Sequence, residues 1–274
     1  MSAPSNYVLG HSTHEYERLM LQGKLLRPFT ERTFRSAGIG PGMRVLDLGS
    51  GMGDVALLLA DIVGPGGKVV GLDRDPAALE RARTRVAEQG CSSWVSFQAT
   101  NLDDFTTDEP FDAVVGRYIL IYTPDVSGTL RTLLRFLKPG GIVAFHEIHT
   151  VEAPSSVPRC ELYEQVYKLI RDAFVKAGMP LDSGCRMGPG FVGAGLPFPT
   201  IIAEQLIGGA RGSYVFPWLA NTLLSVQPRL EALGIHPTIE IDSTLQQRIE
   251  EAVLASGSQT SSPTQYGAWT RKPL

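Results

Sequence analysis

The chain is poor in cysteine, with three in 274 residues. Cys91, Cys160 and Cys185 are scattered and odd in number, which excludes a disulfide framework and gives no zinc-ligand spacing. There is no uninterrupted apolar run near the ~18 residues of a membrane span. Basic residues are not in excess: 25 Lys and Arg stand against 28 Asp and Glu, a formal charge of −3. Without a basic stripe, nothing favours nucleic acid as a partner. The start, Met1-Ser-Ala-Pro-Ser-Asn, lacks a basic region followed by an apolar core and does not read as a secretory signal. Repeats and low-complexity linkers are missing too. These absences lead to the expectation of a cytoplasmic protein with neither membrane nor nucleic-acid partner. With 43% apolar residues, the chain can build a sizeable core.

The most informative stretch is Val45-Leu-Asp-Leu-Gly-Ser-Gly-Met-Gly53. Val45 to Leu48 reads as a buried parallel strand. Gly49, Gly51 and Gly53 follow at alternate positions, and a helical pattern starts at Asp54. Strand, glycine turn and helix form half of a nucleotide-binding unit, whose bare backbone lets a ligand lie across the strand end. The spacing is Gly-x-Gly-x-Gly, and Asp54 stands where a dinucleotide fold places its last glycine. A pyrophosphate wants bare amides and no negative neighbours. Asp47 and Asp54 oppose it and suit a cationic ligand.

These residues resemble motif I of the class I S-adenosylmethionine (SAM) methyltransferases. The resemblance is strong over about residues 43 to 150 and weak over the last two strands. It implies SAM as cofactor, with Asp47, Gly49, Ser50, Gly51 and Gly53 around it. Lys68 to Asp73 reads as the second strand. Its closing acid, Asp73, can accept both ribose hydroxyls, with Arg74 beside it. Asp75 and Pro76 suit the start of the next helix, whose buried face is Leu79, Ala82 and Val86, with Gly90 as its stop. Trp94 to Phe97 alternates as the third strand, followed by Thr100-Asn101-Leu102, where family members often carry Gly-Asp-Ala. Asn101 departs from the usual acid, but its amide oxygen can still accept from the adenine amino group. Phe111 to Val115 resembles the fourth motif, with Gly116 and Arg117 at its carboxyl end. Arg117 can meet a carboxylate as a bidentate donor.

Pro139-Gly-Gly141 precedes the fifth strand, Ile142 to Glu147. His146 and His149 close it, at the end where substrates bind in an open α/β sheet. Strand alternation sends His146 and Ile148 one way, Glu147 and His149 the other. Histidine titrates near neutral pH, so His146 and His149 are candidate bases. Tyr7 and His11, in a segment that folds over the cofactor in many small-molecule methyltransferases, are the others. Tyr16 and Gln22 in the same segment are candidate cofactor contacts, and His14 lies between His11 and Tyr16.

The remaining elements are expected as follows. A helix with Leu19, Gln22, Leu26 and Phe29 on one face, weakened by Gly23 and Pro28, precedes a second short one from about Phe29 to Ala37. Glu161 to Ala177 is a strong helix with an aromatic edge, Tyr163 and Tyr167, turned towards a ligand. Gly184 to Pro199 reads as loop, although Phe191 to Leu196 resembles the family's short helix before the sixth strand, Thr200 to Ile207. Tyr214 to Leu233 is helical with breaks at Pro217 and Pro228. Ser243 to Ala255 is a helix opened by a capping box, Ser243-x-x-Gln246. Thr264 to Arg271 is the last strand.

The expected fold is α/β and Rossmann-like: a mostly parallel seven-stranded sheet, its last strand antiparallel, with helices on both faces and helical cap insertions. The chain divides into a helical lid segment (1–40), a SAM-binding core (41–150), a cap and loop (151–199), and the last strands (200–274) carrying a helical insertion (208–258). The resemblance implies methyl transfer from SAM to an O, N or C atom of a small molecule, with no metal. A homodimer is an assembly the sequence allows. Two other readings compete. One is SAM-bound non-methylating chemistry of the pericyclase or decarboxylase type. The other is a nicotinamide-dependent oxidoreductase, which Asp73 fits but Asp54 and the glycine spacing oppose.

Overall fold

The computed structural model describes residues 13–151 and 155–274. In chain order the first elements are α1 (Thr13–Ala37), β1 (Arg44–Leu48), α2 (Asp54–Val63), β2 (Lys68–Asp73) and α3 (Pro76–Glu88). Next come β3 (Val95–Ala99), β4 (Phe111–Arg117), a 3-10 turn at Leu120–Tyr122, α4 (Val126–Leu134) and β5 (Leu137–His149). Then follow β6 (Ser156–Val157), α5 (Glu161–Lys176), α6 (Ser183–Gly193), β7 (Thr200–Glu204) and β8 (Ile207–Gly208). The chain ends with α7 (Val215–Leu230), α8 (Leu245–Ser256), β9 (Gln259–Ser261) and β10 (Thr264–Arg271).

Two compact units result. The sheet unit comprises Leu26–Glu147, Ser183–Ala203 and Tyr266–Leu274. The helical unit comprises Ile148–Asp182, Glu204–Gln265 and the chain up to Leu25. The sheet unit includes α6, and α1 from Leu26 onward.

In the sheet unit the strand order is β3-β2-β1-β4-β5-β10-β7. The strands from β3 to β5 are parallel, and one strand of the seven runs antiparallel. The core lies on both faces. Val45, Val69, Phe97, Val115 and Ala144 pack with α2, α3 and Phe34 of α1. Leu46, Val70, Val114, Val143 and Phe145 pack with buried side chains of α4 and α6. Burial on both faces is why the strands read as apolar runs with little alternation. The α3 start is built as its sequence suggests: Asp75 accepts from the N–H groups of Ala77 and Ala78 at 2.9 and 3.3 Å, with Pro76 in the first turn.

The helical unit packs α5 against α7 and α8. A small antiparallel sheet, β6-β9-β8, stands beside them in the same unit. Among the described residues no helix is long and apolar enough to cross a membrane.

The structure corrects several sequence expectations. The two short helices before the first strand are one helix, α1, that continues through Pro28. Pro28 removes the bond to the carbonyl of Lys24. Both residues are exposed, so that carbonyl lies on the side water reaches. Likewise α7 is continuous: Pro217 sits in its first turn, where its N–H is not needed, and the helix runs on through Pro228 to Leu230. The capping box at Ser243 does not form. Thr244 is the N-cap, without a side-chain cap bond, and Asp242 accepts from its N–H at 2.9 Å. The strand expected to run to Ile207 stops at Glu204, and Ile207–Gly208 pairs in the small sheet instead.

The largest difference is α6, expected as loop because it holds four glycines and Pro189. Its glycines are there for close approach. A methyl on Gly184 would lie 2.5 Å from the Tyr266 ring, and one on Gly190 would overlap Val126 of α4. Helix propensity lost to glycine is thus offset by tight packing. Gly190→Ala gains up to ~1 kcal/mol of helix propensity. Overpacking against the stiff Val126 costs roughly 1–3 kcal/mol. The melting temperature is therefore expected to fall; a rise would show that α4 yields at no cost.

Candidate functional site

The carboxyl ends of β2, β1, β4 and β5 carry Asp73, Asp47, Arg117 and His146, all on one face of the sheet. The glycine turn closes this edge. Gly51 has a φ of 51°, a left-handed conformation natural to glycine, and its N–H donates to Asp73 Oδ2 at 2.8 Å. A methyl built on Gly51 would meet nothing within 4 Å, so the turn leaves open space there. Gly49 and Gly116 are small for another reason: added methyls would come within 2.5 and 2.7 Å of the Ile119 side chain. At Gly53 an added methyl would crowd Ala82 of α3 at 3.0 Å.

Asp47 is fully buried, and among the described residues neither carboxylate oxygen closes a hydrogen bond, the neighbouring Ser50 hydroxyl falling short of bonding geometry. Burial pushes its carboxyl up to about 7, against the opposing pull of the Ser50 hydroxyl and the Arg117 charge. An unpartnered buried acid is costly and calls for a partner that the described residues do not supply. Asp73 is more settled. Its Oδ2 takes Gly51 N–H, its Oδ1 takes Asp75 N–H at 3.0 Å, and lone pairs remain on both oxygens for two hydroxyls. Arg74 and Asn101 are exposed and Leu102 half-buried at the ends of β2 and β3. The Asn101 amide nitrogen donates to Asp104 at 3.3 Å, leaving its oxygen as the acceptor.

Asp54 does not act as the second acid of this site. Arg85 of α3 donates to Asp54 Oδ1 at 2.8 Å and to the Met52 carbonyl at 2.6 Å. The helix behind the turn pairs it, which leaves Asp47 as the unpartnered one of the two acids among the described residues.

At the end of β5, His146 and Glu147 point to opposite faces, as alternation requires, and both are fully buried. His146 Nδ1 lies 2.9 Å from Thr30 Oγ1, and its ring meets Phe29 edge-on with centroids 4.7 Å apart. The one hydroxyl proton of Thr30 goes to the Leu26 carbonyl at 2.9 Å. We therefore assign the proton of this bond to His146 Nδ1. Glu147 accepts from three backbone N–H groups, of Ile119, Leu120 and Ile121, at 2.9, 2.7 and 3.3 Å. Neither Thr30 nor Ile119 stands out in the sequence, since each matters through a partner distant along the chain.

Tyr7 and His11 lie outside the described residues, as does the side chain of His14. Tyr16, Gln22 and His149 belong to the helical unit. There the Gln22 amide oxygen accepts from Arg18 at 2.7 Å and from Trp218 Nε1 at 3.2 Å, and Arg18 pairs with Glu15 at 2.6 Å. Of the aromatic edge on α5, Tyr163 is packed away and donates its hydroxyl to the Ser261 carbonyl at 2.7 Å. Tyr167 is also buried, but its hydroxyl has no hydrogen-bond partner among the described residues. Among the described residues no group of His, Cys, Asp and Glu could hold a metal.

The sheet edge fits SAM on its own chemistry: an orphaned buried carboxylate for a cation, a second carboxylate for a diol, and a bare turn between them. Comparison with known proteins agrees. A methyltransferase-domain family profile matches residues 39–176, half of the chain. Over 128 residues the chain is 40% identical to the 2-phytyl-1,4-naphtoquinone methyltransferase of Synechococcus elongatus, covering 46% of this chain and 53% of that one. It is 36% identical over 123 residues to the ubiquinone/menaquinone biosynthesis C-methyltransferase UbiE of Ectopseudomonas mendocina, covering 44% and 48%. The chain thus spans about half the length of the curated relatives it matches. In fold it is similar to a SAM-dependent methyltransferase from Geobacter sulfurreducens solved with S-adenosyl-L-homocysteine (SAH), with TM-score 0.51, 21% identity, and 89% and 91% of the two chains covered. Fold, edge chemistry and matched domain agree that the chain belongs to the class I SAM-dependent methyltransferases, whose cofactor is SAM.

Proposed function

We propose that the chain transfers the methyl group of SAM to an oxygen, nitrogen or carbon atom of a small molecule. The observation that carries this reading is the orphaned carboxylate of Asp47 beside the open turn at Gly51. Bound SAM supplies an electrophilic methyl group on a positively charged sulfur. Asp47 would take the cofactor's ammonium group, Arg117 its carboxylate, Asp73 the ribose hydroxyls and Asn101 the adenine amino group. Gly49, Ser50, Gly51, Gly53, Arg74, Leu102 and Gly116 would form the surrounding wall. The residues named hold and orient; alignment then supplies much of the acceleration. The quinone-methylating relatives make a quinol-like aromatic ring a first acceptor to try.

The test is incubation with methyl-labelled SAM and a panel of quinols, phenols, carboxylates and amines. Label in the acceptor together with SAH supports methyl transfer. A changed acceptor with neither label nor SAH would favour the non-methylating use of bound SAM.

Proton removal is separable from alignment. Because His146 is buried and committed to Thr30, its expected role is packing. His146→Gln should keep kcat within about threefold, since a general base typically contributes 10²–10⁴-fold. A hundredfold fall in kcat at unchanged SAH affinity would make His146 the base instead.

A further inference from the structure

We propose that Glu147 is a positioning residue for the cofactor wall: by binding the backbone of Ile119–Ile121 it seats the Ile119 side chain against Gly49 and Gly116. The proposal rests on the reading of the Gly49–Gly53 turn as the cofactor's bed. Glu147 itself touches no cofactor. It lies on the sheet face opposite Asp47 and His146, fully buried, and spends its carboxylate on backbone donors.

Those donors open the 3-10 turn at Leu120–Tyr122, and N–H groups at such a start have no partner within the turn. Without Glu147 they would be buried and unsatisfied, since Leu120 and Ile121 are themselves buried. The consequence reaches the glycine turn through one side chain. Ile119 fills the space that both Gly49 and Gly116 leave vacant, so its position sets how close β1's turn and the end of β4 come.

The residue before it adds an independent sign of constraint. Tyr118 has a φ of 56°, and among the described residues it is the one non-glycine with positive φ. Such a conformation persists when its surroundings over-determine it. Here Tyr118 N–H donates to the His146 carbonyl at 2.9 Å, and the next three N–H groups are held by Glu147. The twist at Tyr118 follows directly on Arg117, whose charge acts on Asp47. One buried carboxylate therefore fixes both the wedge under Gly49 and the segment that carries Arg117. Burial pushes Glu147 up to about 7, with the three N–H groups and the Arg186 charge pulling it down. Packing alone would not require so costly a group at this position.

The test uses SAH as probe, titrated by calorimetry into the full chain and into Glu147→Gln, with amide hydrogen exchange read at Ile119, Leu120 and Ile121. The glutamine keeps the shape but turns an amide donor towards N–H groups. SAH affinity is expected to fall roughly tenfold or more, the loss of one hydrogen bond to a charged group. Exchange at the three amides should quicken and slow again under saturating SAH. A purely structural role would shift the melting temperature and leave the affinity of the folded variant unchanged, which overturns the proposal. Should Glu147→Gln not fold, Ile119→Ala decides, because it keeps the carboxylate and removes the wedge. A tenfold loss of affinity supports the proposal, and native affinity overturns it. If the wild-type chain bound no SAH, the cofactor reading itself would fall; native binding with unaltered variants sinks only the role of Glu147.

Discussion

Asp47→Asn is expected to make the ligand-free chain more stable at pH 8 while weakening SAM binding at least tenfold. Both effects come from one buried carboxylate. Its ordinary value is 3.8, and burial in the folded chain raises it to about 7. Between these values the folded state holds a proton that the unfolded chain has released. Burying the ionised form thus subtracts stability, by nothing below about pH 4 and in full above pH 7. Asparagine cannot ionise and escapes this cost. The gain should therefore be largest at pH 8, shrink towards pH 5 and vanish below pH 4. Binding moves the opposite way, because the cofactor's cation needs the ionised form. An acceptor in a charged hydrogen bond is worth ~1.5–3 kcal/mol, or roughly ten- to a hundredfold. Wild-type affinity should also drop as pH falls below 7, whereas the asparagine variant should show no such slope. Melting curves at pH 5 and 8, with calorimetry at each, read all of this. A variant destabilised at pH 8, or one keeping the pH slope, would show that Asp47 is not the orphan acid of the site.

Gly51→Val should abolish measurable cofactor binding, a loss of more than about a hundredfold, and lower the melting temperature. The two losses have separate causes. The left-handed backbone at φ 51° is out of reach for a β-branched residue without strain of ~1–2 kcal/mol. At ~2–4 °C per kcal/mol for a chain of this size class, that predicts a fall of several degrees. Strain at Gly51 also loosens its bond to Asp73, so the ribose site is disturbed. The valine side chain meanwhile fills the space that the structure leaves open. Gly51→Ala should lie between, with much of the strain and little of the obstruction. Native SAH affinity in a folded Gly51→Val would mean that this turn does not line the pocket.

What was legible in the sequence is what local pattern decides. The strand, turn and helix around Gly49–Gly53, the acid closing β2, and the Asp75–Pro76 start of α3 each follow from a few adjacent residues. Alternation also foretold that His146 and Glu147 part company at the end of β5. Long-range contact was not legible. The glycines of α6 read as breakers because their sequence cannot show that Tyr266 and Val126 press against them. Asp54 read as a site residue because Arg85 is 31 positions away. Glu147 drew notice as a strand-end acid, yet its work is done on Ile119, 28 positions earlier. In the helical unit, Gln22 is engaged by Trp218, 196 positions on, a pairing no motif announces.

The most direct test of the account is a calorimetric titration of the purified chain with SAH, repeated with NADH. Saturable binding of one SAH per chain, lost in Asp73→Ala, is expected, with no saturable heat from NADH. Saturable NADH binding without SAH binding, or SAH binding indifferent to Asp73, would contradict the assignment of this sheet edge to SAM.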